Sequence, residues 1–521
     1  MDGHGDGGSP KHAPLVLATL IGVASVANLN LAVANVALPN IGIAFHASQT
    51  QLNLVSVGFS LGLAGTVLYL GALGDRYGRK MMLLLGMALT IPAALLAAFA
   101  SSIEVLFVAR FAGGVAAGMA YPTTLALITA LWTGQPRTRA IALWSATGGA
   151  MMALASLLAG WLLSVYWWGS VFVVSVPLAA AAFVLVAFFI PAHVEETDGR
   201  VDNLGGALSV VGIVALVLAI NFAPSPGEAE IAIAAGVVAF VALVGFFIRQ
   251  ARAAEPLFDL HIAARRTFLI AAIAGLIVFG TLMAAMFIGE QYLQNVLGYS
   301  TLRAGAAVLP AAAFMLIVAP QSARLIERFG SRITLLAGYT FLFLAFIVML
   351  VAWTASSGYG WVALAFSLVG IGVGLAGTPA SHSLTGSVPV KRAGMASGTA
   401  DLQRDLGGAI MQSLLGAILT AGYASAAASR IAQSKSPVSA QVTNELERSF
   451  SSATAVAQAY PHDAAAIIAG ARDSFLEGAN WAYAAGAVAI VLGALVVAAF
   501  FPKKDAELAM LDQFHRVDSS T

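Results

Sequence analysis

The sequence predicts an all-α integral membrane protein with two six-helix bundles and two further helices inserted between them. Of its 521 residues, 59% are hydrophobic and 10% are charged, and the mean hydropathy is +0.87, values that no soluble globular domain approaches. Fourteen apolar runs are long enough to cross a hydrocarbon core of about 30 Å as helices of roughly 20 residues. A short charged motif also occurs twice, which indicates two copies of one helical unit.

The apolar runs follow one another along nearly the whole chain. Glycine, with 52 residues, is dense inside them, and small residues let membrane helices pack backbone to backbone. No strand is needed to account for any run. The runs centre near residues 26, 62, 90, 117, 152, 181, 214, 239, 278, 311, 343, 371, 408 and 490.

The repeated motif follows the second run, where residues 71–80 read G-A-L-G-D-R-Y-G-R-K. An acid, a base, an aromatic residue, a glycine and a final base return in the same order at residues 327–332, E-R-F-G-S-R. A loop this short cannot leave the membrane surface. Its bases are therefore expected at the cytoplasmic face, where lysine and arginine accumulate.

Lysine and arginine also indicate the orientation of the chain. With the amino terminus inside, most of the 26 bases fall on cytoplasmic segments, and the short external loops hold only Arg303. An even number of spans then places both termini in the cytoplasm and the chain in the inner, or plasma, membrane. The polar head, residues 1–13, lacks the basic segment of a secretory signal and is expected to be a cytoplasmic tail.

The position of the second motif copy locates the inserted helices. It follows the tenth run rather than the eighth, so the seventh and eighth runs are the additional pair. Asp202, in V-D-N-L-G-G, is expected to cap the first of them. The predicted units are an N-terminal bundle over residues 14–200, the inserted helices over 201–250, a C-terminal bundle over 251–503 that includes an external loop over 424–476, and a cytoplasmic tail over 504–521.

The external loop has a helical pattern of its own. Val442, Leu446 and Phe450 recur at helical spacing, and Pro461 follows as a breaker. This predicts one or two amphipathic helices over the outer face. The alternative is a tethering loop with no function of its own.

Several classes of function are excluded. The absence of cysteine rules out a disulfide framework, a thiolate metal site and a cysteine nucleophile. A net charge of +1 gives no reason to expect a nucleic-acid partner. The signatures of zinc proteases, serine hydrolases and phosphate-binding loops are missing. The sequence therefore predicts neither an enzyme nor a site for a metal or a cofactor.

The loop motif resembles that of the major facilitator superfamily. Further stretches resemble its fourteen-span drug:proton antiporter branch, namely N-V-A-L-P at 35–39, Y-L-Q-N-V-L-G-Y-S at 292–300 and S-G-T-A-D-L-Q-R-D-L-G-G at 397–408. The resemblance implies a secondary transporter that exports amphipathic or hydrophobic small molecules by alternating access, driven by protons. Its partners would be that substrate, protons and membrane lipids, and it would be a monomer without cofactors.

In such a transporter the two motif copies are expected to govern the change between states. Asp75 lies near the start of a helix, where the helix dipole favours an anion, and could contact the bases of a facing helix. The alternative is that the bases only determine topology. The gating candidates are Gly71, Gly74, Asp75, Arg76, Gly78, Arg79, Lys80, Glu327, Arg328 and Gly330.

Ionisable side chains inside the spans are candidates for proton coupling, because an unpaired charge in lipid is costly. Asp401, Arg404 and Asp405 are spaced i, i+3 and i+4, so they lie on neighbouring stripes of one helix, and the cation can fully neutralise only one acid. A proton therefore belongs to this trio. The alternative is a static network of salt bridges.

Two more ionisable residues lie in other spans. Glu290 is near the outer end of its span, where it is either a proton carrier or a solvated carboxylate at a helix end. Arg110 begins R-F-A-G-G-V, and the resemblance implies that it faces the central cavity and tunes proton transfer. The alternative is an arginine held by a backbone carbonyl.

Two stretches depart from the antiporter pattern. The family has an aspartate where this chain has Asn30, and the span-5 signature at residues 155–160, A-S-L-L-A-G, keeps only its final glycine. These departures favour an alternative in which the protein carries lipids, glycolipids or sugars with weak or no proton coupling. A third possibility is a membrane sensor or scaffold that transports nothing and uses the external loop as its partner surface.

The substrate cavity is expected to be largely apolar with a few polar and aromatic groups. The candidates are Asn30, Asn35, Tyr121, Trp144, Met151, Gln291, Gln294, His382 and Gln412.

Overall fold

The computed structural model describes residues 4–5, 9–10, 12–132, 134–192, 201–225, 227–388, 393–434 and 439–520. Most of the predicted tail 1–13 and the predicted boundary at residue 200 lie outside these ranges. Two strands of two residues each, β1 (His4–Gly5) and β2 (Ser9–Pro10), pair antiparallel before the first helix. Helices make up the rest of the architecture.

The helices fall into two long series. The first series is α1 Ala13–Phe45, α2 Gln49–Tyr77, α3 Arg79–Ala98, α4 Ile103–Leu131, α5 Gly134–Val165, α6 Ser170–Val173, α7 Ser175–Phe189, α8 Asn203–Phe222 and α9 Ala229–Arg252. The second series is α10 Leu260–Ala263, α11 Arg266–Gln291, a π-helix Tyr292–Val296, α12 Thr301–Ala307, α13 Leu309–Phe329, α14 Ser331–Ala352, α15 Tyr359–Gly386, α16 Ala393–Ala432, α17 Ala440–Arg448, α18 Phe450–Ala459, α19 Ala464–Phe500 and α20 Lys504–Ser520.

Every apolar run predicted from the sequence has its centre inside a helix. Among the described residues, 13 helices are long and apolar enough to cross a membrane. The fifth predicted run falls on α5, which has 32 residues and a shorter apolar part, Leu154–Val165. The all-α class is confirmed, while the count of fourteen spans and the side of the termini stay predictions.

The helices pack in two groups. Within α1–α7, α4 packs on α2 and α3, α5 on α1, and α7 on α3. Within α11–α19, α15 packs on α13 and α14, and α16 on α11 and α19. The groups meet where α2 faces α16 and where α5 faces α12 and α13. We call these contacts the α2–α16 seam and the α5–α12 seam.

The pair α8 and α9, which the sequence predicts to be an insertion, lies beside the α2–α16 seam. The two helices pack on each other, and α8 also contacts α2 and α16. Val57 of α2, Val217 of α8 and Ala409 of α16 belong to one buried apolar cluster. In α9, by contrast, large apolar side chains such as Phe240 are 70% exposed, as expected of a helix that faces lipid.

Asp202 holds the start of α8 against α9. As predicted, it caps α8 by accepting a hydrogen bond from the N–H of Gly205 (3.1 Å), and it also accepts from Arg249 Nε (2.9 Å) and Gln250 Nε2 (3.0 Å). Burial acts to raise the pKa of the Asp202 carboxyl, but these donors outweigh burial and hold the pKa below its ordinary value. The carboxylate is thus ionised at neutral pH.

The two ends of the helix assembly are named here by what they carry. The motif end is where α2 meets α3 and α13 meets α14, and the cap end carries α17 and α18. Ser449, between α17 and α18, donates to the carbonyl of Ala47 (2.8 Å), after α1. The two short helices that the sequence predicts for this segment are present as α17 and α18, while their external location stays a prediction. Helix α16 continues to Ala432 and α19 begins at Ala464, so the cap is shorter than the predicted loop.

Close backbone contact joins helices within each group. A Cβ on Gly114 of α4 would lie 2.0 Å from the carbonyl oxygen of Phe59 in α2. Gly86 of α3 and Gly338 of α14 each lie eight residues after the glycine of a motif copy, and a Cβ on either would lie within 3 Å of a carbonyl oxygen on the next helix. The repeat in the sequence is therefore also a repeat in packing.

We expect Gly114→Ala to lower the melting temperature in detergent and the yield of monodisperse protein. The added methyl group must push α4 away from α2, and overpacking of this kind costs about 1–3 kcal/mol or more. The matched control is Gly22→Ala in α1, where a Cβ would meet no atom within 4 Å. Equal melting temperatures for the two variants would contradict the close contact.

Candidate functional site

The two copies of the charged motif adopt the same local geometry. Gly78, between α2 and α3, has φ 110°, and Gly330, between α13 and α14, has φ 84°. Both values lie in the region that favours glycine. In the first copy, Asp75 Oδ1 accepts hydrogen bonds from Nε (3.2 Å) and Nη2 (3.1 Å) of Arg79. The acid and the base thus fix the turn between α2 and α3.

The final base of each copy caps the last membrane helix of its own group. Lys80 Nζ donates to the carbonyl of Ala187 (2.8 Å), near the end of α7. Arg332, at the equivalent position, donates to the carbonyl of Ala498, near the end of α19. Carbonyls at a helix end lack partners within the helix and favour a cation. Each motif copy therefore ties three helices into one body, a role that sequence reasoning missed.

A small cavity lies between the two groups. It has a volume of about 50 Å³ and is bounded by α1, α5, α11 and α13. This volume holds a few water molecules and is far below the roughly 300–1,000 Å³ of a ligand pocket, so a drug-sized molecule does not fit the cavity as it stands. The lining residues that bear on function are Asn35, Ser156, Met283, Met286, Glu290 and Met315.

Glu290 supplies the carboxylate of this cavity. It is 1% exposed, and its Oε1 accepts a hydrogen bond from Ser156 Oγ (3.2 Å) in α5 of the other group. Its Oε2 is buried and has no hydrogen-bond partner among the described residues. Oε2 can therefore accept a proton while Oε1 keeps its contact with the opposite group.

Toward the cap end, polar side chains of α2 join the two groups through contacts with α11 and with α16. Gln49 Nε2 donates to Gln291 Oε1 (3.2 Å), and Asn53 Nδ2 donates to Thr420 Oγ1 (3.2 Å). Deeper along the same face, Ser56 Oγ accepts from Gln412. Sequence reasoning missed these α2 residues, although their spacing of four and three residues inside an apolar run is a helical stripe.

Helix α1 contributes to the same closure. Ser56 Oγ donates to Asn35 Oδ1, which connects α1 to the contact between α2 and α16. Gln294, in the π-helix, donates to the carbonyl of Val36 (2.9 Å). Both groups thus meet through α1 as well as through α2, on the cap-end side.

The α5–α12 seam closes by backbone contact. A Cβ on Gly160 would lie 2.5 Å from the carbonyl oxygen of Thr301, and a Cβ on Gly305 would lie 2.3 Å from that of Ser156. Thr301 Oγ1 also donates to the carbonyl of Gly160 (3.1 Å). The glycine that remains of the span-5 signature is therefore a contact point between the groups.

The trio of α16 is arranged around Arg404. Its Nε and Nη2 lie 3.3 Å from Oδ1 and Oδ2 of Asp405, and its Nη1 donates to the hydroxyl of Tyr121 (2.5 Å) in α4. Asp401 Oδ2 is buried without a hydrogen-bond partner in the described part of the chain. The cation thus pairs with one acid and contacts the other group through Tyr121.

Aromatic rings support this contact from the side of the first group. The Arg404 guanidinium carbon lies 4.5 Å from the centre of the Tyr121 ring. That ring lies 5.5 Å from the ring of Trp144, whose Nε1 donates to Thr124 Oγ1 (3.0 Å). Tyr121 and Trp144 therefore belong to the arginine cluster rather than to the lining of the small cavity.

Backbone carbonyls hold Arg110, which is the alternative that the sequence left open for this residue. It is 2% exposed and donates to the backbone carbonyls of Asn30 (2.6 Å) and Val55 (3.4 Å). The rings of Phe59 and Phe172 lie 5.0 Å and 5.6 Å from its guanidinium carbon. Its Nη2 is buried without a hydrogen-bond partner among the described residues.

The remaining predicted residues lie apart from these clusters. Asn30 Nδ2 donates to the carbonyl of Val26 (2.9 Å) within α1. Met151 is half-buried in α5, and His382 is exposed near the motif end of α15. The other predicted candidates described above belong to the cavity of Glu290, to the cluster around Arg404, or to the polar contacts between the two groups.

We expect Asn30→Asp to give folded protein, because the Arg110 guanidinium lies at the carbonyl of residue 30 and can offset the new charge. The matched control is Asn28→Asp, because Asn28 is also buried in α1 and bonds to the carbonyl four residues earlier (3.0 Å). Without such a cation, the control should cost several kcal/mol and lose folded protein. Monodisperse yield and melting temperature measure both, and equal loss would contradict the expectation.

Comparisons with known proteins agree with this architecture. A profile described as Major Facilitator Superfamily matches residues 20–412. Multidrug resistance protein Stp of Mycobacterium tuberculosis is 32% identical over 397 residues, 75% of this chain and 73% of that protein. Multidrug efflux pump LfrA of Mycolicibacterium smegmatis is 32% identical over 419 residues, 80% of this chain and 83% of that protein.

Solved structures show the same fold. A peptide transporter POT in complex with sulfate superposes with a TM-score of 0.63 at 15% identity and covers 98% of this chain and 96% of its own. A bacterial homolog of the human lysosomal transporter Spinster, inward-facing and occupied, gives a TM-score of 0.61 at 15% identity, with 98% and 99% covered. At this identity the likeness concerns the fold alone. From the profile match and the two efflux proteins, the chain belongs to the major facilitator superfamily.

Proposed function

We propose that this protein exports amphipathic, largely apolar small molecules across the inner membrane by alternating access, in exchange for protons. The observation that carries the proposal is the buried carboxylate of Glu290 in a methionine-lined cavity between the two helix groups. The similarity to multidrug efflux proteins supports export of drug-like molecules. The chain catalyses no chemical change in its cargo.

The chemistry of the cavity supports broad rather than narrow recognition. Met283, Met286 and Met315 contribute flexible, polarizable side chains that adapt to ligands of different shape. Asn35 and Ser156 are the neutral polar side chains in the lining. A site with one acid and few fixed polar groups favours hydrophobic molecules, including those that carry a positive charge.

The position of Glu290 supports coupling between protonation and closure. Its carboxylate accepts from Ser156 of the opposite group, so a proton on Glu290 changes a contact that holds the groups together. Asp401 offers a second buried oxygen without a described partner, beside an arginine that contacts Tyr121. A proton on either acid removes a charge that is costly in a dry interior, and a cationic substrate would compete with that proton.

The seams define the state of the protein in this proposal. If the motif end faces the cytoplasm, the contacts of Gln49, Asn53 and Ser156 close the side that faces away from it. Each motif copy ties its own group together, so the groups would rock as rigid bodies about the cavity. Closing the motif end would break the cap-end contacts and release the cargo outside.

One observation favours the lipid, glycolipid or sugar carrier with weak coupling. Arg110 is bound by backbone carbonyls, with Asn30 where the family has an acid. Transport in proteoliposomes that is indifferent to an imposed pH gradient would favour this carrier over the antiporter. Absence of flux for all drug and lipid probes would instead favour a sensor.

We expect Glu290→Gln and Asp401→Asn to lose accumulation driven by a pH gradient by about 5- to 150-fold, the usual range of coupling energies, while downhill exchange persists. Asp405→Asn should instead lower the melting temperature, because it removes the ion-pair partner of the largely buried Arg404, a change that costs at most about 3–5 kcal/mol. Dye transport in proteoliposomes measures the first effect and melting temperature the second. The control is Glu230→Gln, an exposed carboxylate of α9. Full gradient-driven transport by both single variants would contradict proton coupling at these acids.

We expect Asp75→Asn to lower the maximal transport rate several-fold with little change in KM or expression. The substitution removes the charge that Arg79 contacts, and the motif turn governs the change of state rather than substrate affinity. Initial rates over a range of dye concentrations separate the two parameters, with Glu230→Gln again as control. A wild-type maximal rate would show that the turn has no gating role.

A further inference from the structure

The C-terminal helix α20 docks on the second motif copy through Lys504. Its Nζ donates to the carbonyls of Glu327 (2.5 Å) and Arg328 (3.4 Å) in the last turn of α13. Carbonyls at a helix C-terminus have no partner in their own helix and favour a cation. Lys504 therefore caps α13 from outside the bundle.

Glu507, one turn later, binds the start of the next helix. Its Oε2 accepts from the N–H of Ser331 (3.3 Å), the first residue of α14, and its Oε1 accepts from Ser383 Oγ (2.7 Å) in α15. The residue before α14 is Gly330, which offers no side-chain cap. A carboxylate is favourable at such an uncapped helix N-terminus, and Glu507 is only 4% exposed.

The contact around Gly330 is close. A Cβ on Gly330 would lie 2.8 Å from Cβ of Lys504, and the glycine also has positive φ. Farther along α20, the Phe514 ring lies 4.6 Å from the guanidinium carbon of Arg265, which precedes α11 and donates to the carbonyl of Ser387 (2.6 Å). The side chains of α20 thus contact α13, α14, α15 and the start of α11, all of one group.

The two motif copies differ where this docking occurs. In the first copy the residue after the glycine is Arg79, which reaches back to Asp75. In the second copy that position is Ser331, which carries no charge and cannot form an equivalent ion pair. The tail supplies both charges instead, with Lys504 at the end of α13 and Glu507 at the start of α14.

We propose that Lys504 and Glu507 are positioning residues for transport, because they hold the second motif turn in the geometry that Asp75 and Arg79 give to the first. This inference rests on the proposed function for its consequence in transport. With the turn held, the second group moves as one body during the change of state. Without it, α13 and α14 move independently at their motif end, and the exchange between states slows while the substrate site is unaltered.

The experiment compares Glu507→Ala, Lys504→Met and the conservative Glu507→Gln in the full-length protein. The matched controls are Asp512→Asn and Lys503→Met, which change exposed charges on or next to the same helix. Ethidium uptake into inverted proteoliposomes under an imposed pH gradient gives the maximal rate and KM. We expect a maximal rate several-fold lower for Glu507→Ala and Lys504→Met at unchanged KM and wild-type values for the controls. Glu507→Gln should recover part of the rate, because its amide oxygen can accept from the N–H of Ser331 while its NH2 group donates to the Ser383 hydroxyl.

A second measurement does not depend on transport. Because the chain has no cysteine, spin labels can be placed at Ile333→Cys on α14 and Leu508→Cys on α20, both exposed positions. We expect a narrow distance distribution in the otherwise wild-type protein and a broad one with Glu507→Ala or with Lys504→Met. If the wild type moves no ethidium, the proposed function is at fault, and the distances still decide whether these residues hold the turn.

Three results would overturn the inference. A distribution that stays narrow when both side chains are removed shows that other contacts hold α20. A broad distribution with a wild-type maximal rate shows that the held turn is irrelevant to the change of state. A fall in melting temperature that is equal in Glu507→Ala and Glu507→Gln, together with a raised KM, would indicate a general loss of structure and also contradict a positioning role.

Discussion

The hydrocarbon core contains no water, so every polar group inside it must find a partner within the protein. The structure meets most of this demand with contacts between helices, and among the described residues it leaves Glu290 Oε2, Asp401 Oδ2 and Arg110 Nη2 without a hydrogen-bond partner. Lys80 and Arg332 satisfy carbonyls at the ends of α7 and α19, and Arg110 binds two carbonyls of α1 and α2. The amides and hydroxyls of the seams pair across the groups in the same way. Opening the cap end would therefore separate donors from acceptors, and only water or a ligand entering the seam could replace them.

The two halves share one plan and have diverged in their charges. Gly78 and Gly330 form equivalent turns, yet the buried carboxylates described in the membrane helices, Glu290, Asp401 and Asp405, all lie in the second half. The first half contributes neutral partners to them, such as Ser156. One half therefore carries these carboxylates, and the other contributes a hydrogen-bond donor to Glu290. This division suits a mechanism in which a proton changes the fit between two otherwise rigid bodies.

Much of the fold was accessible to sequence reasoning because hydropathy and helical spacing are local properties. The apolar runs, the cap of α8 at Asp202 and the two short helices at the cap end follow from such patterns. The partners across the seams do not follow from local patterns. Ser156 and Glu290, for example, lie 134 residues apart, and nothing in the sequence near either residue brings them together. Residues 155–160 looked like a lost signature, although Gly160 and Ser156 are contact points in the structure. The polar stripe of α2 is visible in the sequence as a helical spacing, but that spacing does not show which residues the stripe contacts. For Arg110, only tertiary contacts distinguish the two arrangements that the sequence allows.

The inserted helices have a consequence for the two flanks of the assembly. Between two groups of helices there are two lines along which the interior borders on the acyl chains of the bilayer. Along one of them, α8 packs on both α2 and α16 and covers the line from the lipid side, with α9 behind it. Along the other, α5 meets α12 and α13 without an additional helix of the inserted pair. The two flanks of the assembly that face the acyl chains are therefore unequal, because α8 covers one seam while close backbone contact alone closes the other.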